Sequence, residues 1–172
     1  MARRAAFAGC GALGCGAVVV WDYKTCHPSR RYDFGVGSLY GTGIRVHNAV
    51  IAPLVGKSYT MAELGTYDGA DGRPTYVGCG GRIFDVSDSE MFKTTYTGWA
   101  GKDATVSLGL MSLDDDDANR RDWEVLGEDE WKGVSDWKLY FDSKYRVRGT
   151  LAEFEAFRKS GKCTVAAAAA QK

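Results

Sequence analysis

The stretch TYVGCGGRIFDV, residues 75–86, carries the clearest fold signal in this 172-residue sequence. Residues 75–79 and 82–86 are two short runs rich in the β-branched and aromatic side chains that strands favour. Gly80-Gly81 separates the two runs, and a two-residue turn between strands requires positive φ at both turn positions. We therefore predict a β-hairpin over residues 75–86.

A short helix is predicted before the hairpin. Thr60-Met61-Ala62-Glu63 is a capping box, in which the Thr and Glu side chains each bond the other residue's backbone amide. Asp68-Gly69 predicts the end of this helix, and the turn-forming residues 71–74 then lead into the hairpin.

Helices are also predicted after the hairpin. Asp103 is expected to cap a helix over residues 104–113, and Ser135 a helix over residues 136–147 that ends at Arg148-Gly149. Five side chains of the second helix recur on one face: Trp137, Tyr140, Phe141, Lys144 and Tyr145. We expect Trp99 and Trp137 to be core residues.

The C-terminal region, residues 152–172, is predicted to contain a short helix that ends at Gly161, followed by an alanine-rich tail. The order helix, hairpin, helices indicates an α+β fold for residues 58–151.

Residues 5–21, AAFAGCGALGCGAVVVW, form an uncharged run preceded by Arg3 and Arg4. A helix of this length is about 25 Å long, at the short limit for a membrane span. Trp21 would then lie at the membrane interface, where aromatic side chains are enriched. We predict that residues 1–21 form an N-terminal transmembrane helix, with a cleaved secretory signal and an organelle presequence as alternatives.

Residues 22–57 show no sustained helical or strand period, yet they contain several aromatic side chains. They are too aromatic for a flexible linker, so we predict an extended arm that binds a partner protein. Residues 1–57 carry seven Lys and Arg against two Asp, and residues 58–172 carry fifteen against twenty Asp and Glu. This asymmetry fits a basic anchor region followed by an acidic soluble domain.

Several functional classes do not fit the composition. The five cysteines form no C-x-x-C pair, which argues against a zinc site, and their odd number and scattered positions argue against a disulfide framework. The two histidines, His27 and His47, both precede residue 58, so the predicted domain offers no Ser/His/Asp or Cys/His set and we expect no enzymatic activity. No basic stripe interleaves with aromatic residues, so nucleic acid is not an expected partner.

Four short blocks resemble the cytochrome b5-like haem/steroid-binding domain of the membrane-associated progesterone receptor family. They are YTMAEL followed by YDG (59–69), GRIFDV (81–86), YTGWAGKDAT (96–105), and SDW, F, KY and G within residues 135–149. Each block is short, but together they occur in order over residues 58–151.

The resemblance implies a b-type haem as cofactor, held by a tyrosine oxygen rather than by the two histidines of ordinary cytochrome b5. The matching iron-ligand position is Tyr96, and a tyrosine oxygen also ligates haem iron in catalase. A family Lys-Tyr pair matches Lys144 and Tyr145, and an ammonium there suits a haem propionate.

The chain departs from the family pattern just before Tyr96. The family carries a second tyrosine in a longer loop, whereas Phe92 takes that place in the loop MFKTTY, residues 91–96. A phenylalanine can cover a porphyrin face but cannot donate a hydrogen bond. Phe92 is therefore the fourth candidate cofactor-binding residue.

These features predict a single-pass, membrane-anchored haem-binding protein of the endoplasmic reticulum or the mitochondrial inner membrane. It would be a haem carrier or a partner of a membrane redox enzyme, and it would contact integral membrane proteins of a multi-subunit complex through its N-terminal helix and arm. An alternative is a structural accessory subunit of a large membrane complex, such as a mitochondrial respiratory assembly, with an empty haem pocket. A third is a secreted haem-binding signalling factor, which requires residues 5–21 to be a cleaved signal.

Overall fold

A computed structural model describes residues 36–161 of the chain. The predicted anchor at residues 1–21, the first part of the arm and the alanine-rich tail lie outside the described residues. Within residues 36–161, no helix has both the length and the apolar character needed to cross a membrane.

A four-stranded mixed sheet organises the α+β domain, in the strand order β1-β4-β3-β2. The strands are β1 (Lys57–Tyr59), β2 (Tyr76–Cys79), β3 (Arg82–Asp85) and β4 (Arg146–Leu151). The predicted hairpin is confirmed as β2 and β3, which pair antiparallel around Gly80 and Gly81, with φ of 55° and 79°. β4 pairs antiparallel with β3 and parallel with β1.

Short helices surround this sheet. The α-helices within residues 36–161 are α1 (Val36–Val46), α2 (Ala52–Val55), α3 (Met61–Leu64), α4 (Glu90–Thr94), α5 (Thr105–Gly109), α6 (Glu128–Lys144) and α7 (Ala152–Lys159). A π-helical turn, His47–Ile51, joins α1 to α2, and a 3-10 turn, Thr97–Trp99, follows α4. The short helix predicted at the C-terminal end is confirmed as α7.

The sheet residues contribute to two apolar cores because successive strand side chains point to opposite faces. Tyr76 and Ile83 belong to the first core, which also contains Leu64 from α3. Val77 and Phe84 belong to the second core, which extends to the aromatic residues of α4 and α6. The candidate site described below lies at the edge of this second core.

The predicted capping box at the start of α3 is confirmed. The Glu63 amide donates to the Thr60 hydroxyl at 3.1 Å, and the Thr60 amide donates to a Glu63 carboxylate oxygen at 2.9 Å. This backbone hydrogen bond from Thr60, together with the side-chain bond from Lys57, lowers the pKa of Glu63 to about 2.

The helix predicted over residues 136–147 is wrong at both ends. α6 begins at Glu128 rather than after Ser135, and its first turn holds three acidic side chains, which stabilise a helix N-terminus. It ends at Lys144 because Tyr145 is extended and the next residues form β4, which is hydrogen-bonded on both sides. Strand pairing therefore overrides a helical side-chain period that continued past Lys144.

The arm predicted to be extended over residues 22–57 is helical from Val36 to Val55. Ile44, Asn48 and Ala52 recur every four residues and are buried against the domain. The Asn48 amide nitrogen donates to the carbonyl oxygens of Asp142, at 3.0 Å, and Tyr145, at 2.8 Å, and its oxygen accepts from the Val147 amide at 2.8 Å. Exposed apolar residues at Val46, Val50 and Leu54 weaken the amphipathic contrast in the second half of this helical segment.

Candidate ligand-binding site

An aromatic cleft of about 490 Å³ opens between the α4 region and α6. We call it the aromatic cleft. One wall is formed by Met91, Phe92, Tyr96 and Trp99. The other wall is formed by Gly133, Asp136, Trp137, Tyr140, Phe141, Lys144 and Tyr145. Its volume falls in the range of about 300–1,000 Å³ that is usual for small-molecule sites.

Tyr96 is held in the first wall by the turn that ends α4. Its amide donates to the Met91 carbonyl oxygen at 2.8 Å, and the following 3-10 turn superimposes side chains three residues apart. The ring of Trp99 consequently lies parallel to that of Tyr96, with centroids 4.8 Å apart and planes 6° from parallel. Tyr96 is half-buried, and its hydroxyl has no hydrogen-bond partner within residues 36–161.

Phe92 lies where the two walls meet and is only 4% exposed. Its ring centroid is 5.5 Å from that of Tyr96 and 6.4 Å from that of Trp99 in the first wall. It is also 6.1 Å from Phe141 and 5.9 Å from Tyr145 in the second wall. Phe92 therefore spaces the walls and also belongs to the core.

Lys144 brings a positive charge to the second wall. Its Nζ donates to the Tyr140 hydroxyl at 2.7 Å and lies 5.0 Å and 5.3 Å from the ring centroids of Tyr140 and Tyr145. Burial disfavours the charged form, but the interactions with Tyr140 and Tyr145 outweigh burial and raise the pKa of Lys144. Tyr145 is buried, and its hydroxyl is hydrogen-bonded to Ser89 Oγ at 3.1 Å.

The four residues selected from the sequence, Tyr96, Lys144, Tyr145 and Phe92, all line this one cleft. Trp99 and Trp137, which we expected to be only core residues, line it as well. The helical face predicted from Trp137 to Tyr145 forms most of the second wall. Gly133 lies one turn before Trp137 on the same face and lines the cleft too. The fold therefore brings together residues that the sequence separates widely.

The cleft combines flat apolar walls, an ammonium group and a phenol that has no hydrogen-bond partner among the described residues. The walls can stack on a flat apolar molecule, the phenol can supply an oxygen ligand, and the ammonium can pair with a carboxylate. Among the described residues, no histidine, cysteine or acidic cluster offers a competing metal site. This arrangement suits a planar ligand that carries an anionic group.

Asp103 fixes the segment that follows Tyr96, and it does so as a buried residue rather than as the predicted helix cap. One carboxylate oxygen accepts from Trp123 Nε1 at 2.9 Å and the other from the Thr105 hydroxyl at 2.7 Å. The Asp103 carbonyl oxygen accepts a hydrogen bond from the backbone amide of Asn119 at 2.7 Å, and Asp103 forms an isolated parallel β-bridge with Gly78 of β2. α5 instead begins after Ala104, without a side-chain cap.

The buried Asp103 carboxyl should make stability depend on pH. Burial raises the pKa of Asp103 from 3.8 to about 6, although hydrogen bonds from Thr105 and Trp123 favour the charged form. Between these two pKa values the folded protein keeps a proton on Asp103 that the unfolded chain releases. The contribution of Asp103 to the unfolding free energy is therefore greatest below pH 4 and is lost as the pH rises through about 6. The total loss, from well below pH 4 to well above pH 6, should approach about 3 kcal/mol.

Asp103→Asn should remove this dependence because an amide does not titrate. We expect the unfolding free energy of the variant, relative to the wild type, to improve by about 2 kcal/mol between pH 4 and pH 7. Urea unfolding followed by tryptophan fluorescence at several pH values measures it. Asp88→Asn, at an exposed carboxylate, is the control, and a constant Asp103→Asn difference across this range would contradict the prediction.

No model of a known protein family matches the sequence. Individual relatives do match it. Probable steroid-binding protein 3 of Arabidopsis thaliana is 38% identical over 97 residues, which are 54% of this chain and 96% of that protein. Membrane steroid-binding protein 2 of Arabidopsis thaliana is 41% identical over 54% of this chain and 41% of that protein. Cytochrome P450 regulator dap1 of Schizosaccharomyces pombe is 32% identical over 55% of this chain and 63% of that protein.

The match thus spans nearly all of the first relative but less than two thirds of the other two. A solved structure of a hypothetical Arabidopsis thaliana protein, described as having a cytochrome b5-like fold, is 36% identical with a TM-score of 0.51. It covers 56% of this chain and 92% of that chain. The fold is that of a cytochrome b5-like domain. The chain belongs to the membrane-associated progesterone receptor family.

Proposed function

We propose that this protein binds haem in the aromatic cleft, with Tyr96 as the iron ligand, and acts as a haem carrier or as a partner of a membrane redox enzyme. The observation that carries the proposal is the Tyr96 hydroxyl, which lies in an aromatic wall without a protein partner among the described residues. The relative named as a cytochrome P450 regulator supports a redox enzyme as the partner.

The donor set of the cleft fits haem. Tyr96 would supply the oxygen ligand, Lys144 would pair with a propionate, and Phe92, Trp99 and Tyr145 would contact the porphyrin. The one histidine within residues 36–161, His47, is hydrogen-bonded to Asn48 and does not line the cleft. When bound, haem supplies a redox-active iron whose potential depends on the axial ligand.

The proposal assigns no catalytic step to the chain itself. Relatives named as membrane steroid-binding proteins support association with a membrane. We propose that residues 5–21 provide a single-pass anchor in the endoplasmic reticulum or the mitochondrial inner membrane. The alternative of a structural accessory subunit of a respiratory assembly gains no support from the relatives, which are steroid-binding and regulator proteins.

Titration of the purified full chain with ferric haem tests the proposal. We expect saturable one-to-one binding and a Soret band of high-spin, five-coordinate ferric haem, because the cleft offers one oxygen ligand. The bound iron should be hard to reduce, since an anionic oxygen ligand favours the ferric state. A chain that gives no Soret band, or the low-spin spectrum of two nitrogen ligands, would contradict the proposal.

A further inference from the structure

The outward face of the helical segment Val36–Val55 is apolar from Val46 to Leu54, and no described residue covers it. Val46, Val50 and Leu54 recur every four residues and are 53%, 57% and 80% exposed. They are offset by two positions from the buried stripe that begins at Ile44, which places them on the opposite side of the helix. Exposed large apolar side chains that line up in this way mark a contact surface rather than scattered surface residues.

The charged side chains within this part of the chain have one sign. The sequence contains no acidic residue from residue 34 to residue 62, and Arg45 is exposed within α1. The rest of the domain is acidic, with fifteen Lys and Arg against twenty Asp and Glu over residues 58–172. A helix with an apolar face and basic flanks is typical of segments that lie in the interface of an anionic bilayer.

The length of chain before α1 holds this face close to the membrane. Only residues 22–35 separate the uncharged run 5–21 from Val36, and they can span at most about 50 Å. This step rests on the membrane anchor of the proposed function. A surface tethered at this distance meets the bilayer at a high effective concentration, so a small apolar contact suffices.

The size of the face argues against a protein as its occupant. The stretch from Val46 to Leu54 is about 13 Å long, and one side of a helix about 10 Å wide then offers only about 130 Å². A stable protein–protein interface needs about 800 Å² from each partner. The face is therefore too small for a stable dimer on its own, whereas a tethered lipid contact has no such minimum.

We propose that the outward face from Val46 to Leu54 lies on an anionic lipid bilayer, with Val46, Val50 and Leu54 at the boundary of the acyl chains. Arg45 then lies at the level of the phosphate groups. The contact fixes the orientation of the domain relative to the membrane and does not involve the aromatic cleft.

Photo-crosslinking of the full chain in vesicles of phosphatidylcholine and phosphatidylserine tests this contact. Leu54→p-benzoylphenylalanine should give an adduct with the mass of one lipid after irradiation. Leu113→p-benzoylphenylalanine is the matched control, because Leu113 is also well exposed, at 64%, but precedes four aspartates. We expect at least about tenfold more lipid adduct from position 54 than from position 113, and Val50→Glu should reduce the position 54 adduct several-fold.

The crosslinking results distinguish a lipid from a second copy of the chain as the partner of this face. Equal lipid adducts from both positions, no lipid adduct from position 54, or an adduct with the mass of a second chain would each overturn the proposal. Flotation of the vesicles measures anchoring independently, and the haem titration measures the cleft. A failure of the lipid contact is therefore distinguishable from a failure of the proposed function.

Discussion

Tyr96→Phe should abolish high-affinity haem binding while leaving the fold intact. The substitution keeps the ring that stacks 4.8 Å from Trp99 and removes only the oxygen. Because that oxygen has no hydrogen-bond partner within the described residues, its loss leaves no buried polar group unsatisfied. Losing a residue that merely orients a metal ligand costs about 10–100-fold in affinity, so losing the ligand itself should cost more than about 100-fold.

The measurement is a haem titration of variant and wild type, followed at the Soret band and checked by circular dichroism. Tyr67→Phe is the matched control, since Tyr67 packs against the first core and does not line the cleft. The control should bind haem as the wild type does. If Tyr96→Phe retained the wild-type spectrum and affinity, Tyr96 would not be the ligand, and the thioether of Met91 in the same wall would be examined next.

Lys144→Ala should weaken haem binding far less than Tyr96→Phe does. The ammonium is half-buried and would pair with a propionate near water, where an ion pair contributes at most about 1 kcal/mol, or about fivefold in affinity. The same titration measures it. High salt should reduce the difference between variant and wild type, because salt screens exposed charge pairs. A loss as large as that of Tyr96→Phe would mean that Lys144 holds the cleft open rather than pairing with the ligand.

The parts of the fold that the sequence predicts correctly depend on local signals. Gly80-Gly81 requires a tight turn, and Thr60 and Glu63 satisfy each other's backbone amides, so neither depends on distant residues. The start of α6 was missed because its N-cap, Gly127, makes no side-chain cap, and acidic residues in the first turn are a weaker signal. The helix over Val36–Val55 was missed because Asn48, a polar residue in its buried stripe, bonds backbone groups that are distant in the sequence, at Asp142, Tyr145 and Val147.

The candidate site was predicted from matched residues rather than from geometry. Tyr96 and the Lys144-Tyr145 pair lie on separate elements, and no sequence period links them. The resemblance did not predict that the Trp99 ring stacks on Tyr96 in the cleft. This stacking depends on a 3-10 turn, rather than an α-helical turn, between the two residues. The resemblance also did not supply Tyr140, whose hydroxyl accepts the hydrogen bond of Lys144.

Gly149 belongs to the sequence block that resembles the family, but its structural role differs from the one that the sequence predicts. The sequence predicts that Arg148-Gly149 ends a helix, whereas the structure places Gly149 inside β4, opposite Lys57 of β1. A side chain at this position would collide with the Lys57 carbonyl group, whose carbon would lie 2.8 Å from the new Cβ, and with Tyr59 Cε2 at 2.9 Å. The requirement for glycine is therefore the close approach of two parallel strands.

Gly149→Ala should accordingly be strongly destabilising. Backbone atoms of β1 cannot rotate away as a flexible side chain would, so β1 must separate from β4 and withdraw Tyr59 from the first core. We expect a loss of about 3 kcal/mol or more in unfolding free energy, at the upper end of overpacking effects, and a fall in melting temperature of roughly 10 °C.

Gly133→Ala is the control, and its expected effect on stability has the opposite sign. Gly133 lies inside α6 with nothing within 4 Å of the new Cβ, and alanine favours a helix by up to about 1 kcal/mol. Urea unfolding by tryptophan fluorescence should thus give changes of opposite sign for the same chemical substitution. Equal changes at the two positions would show that β1 can move away from β4 at little cost.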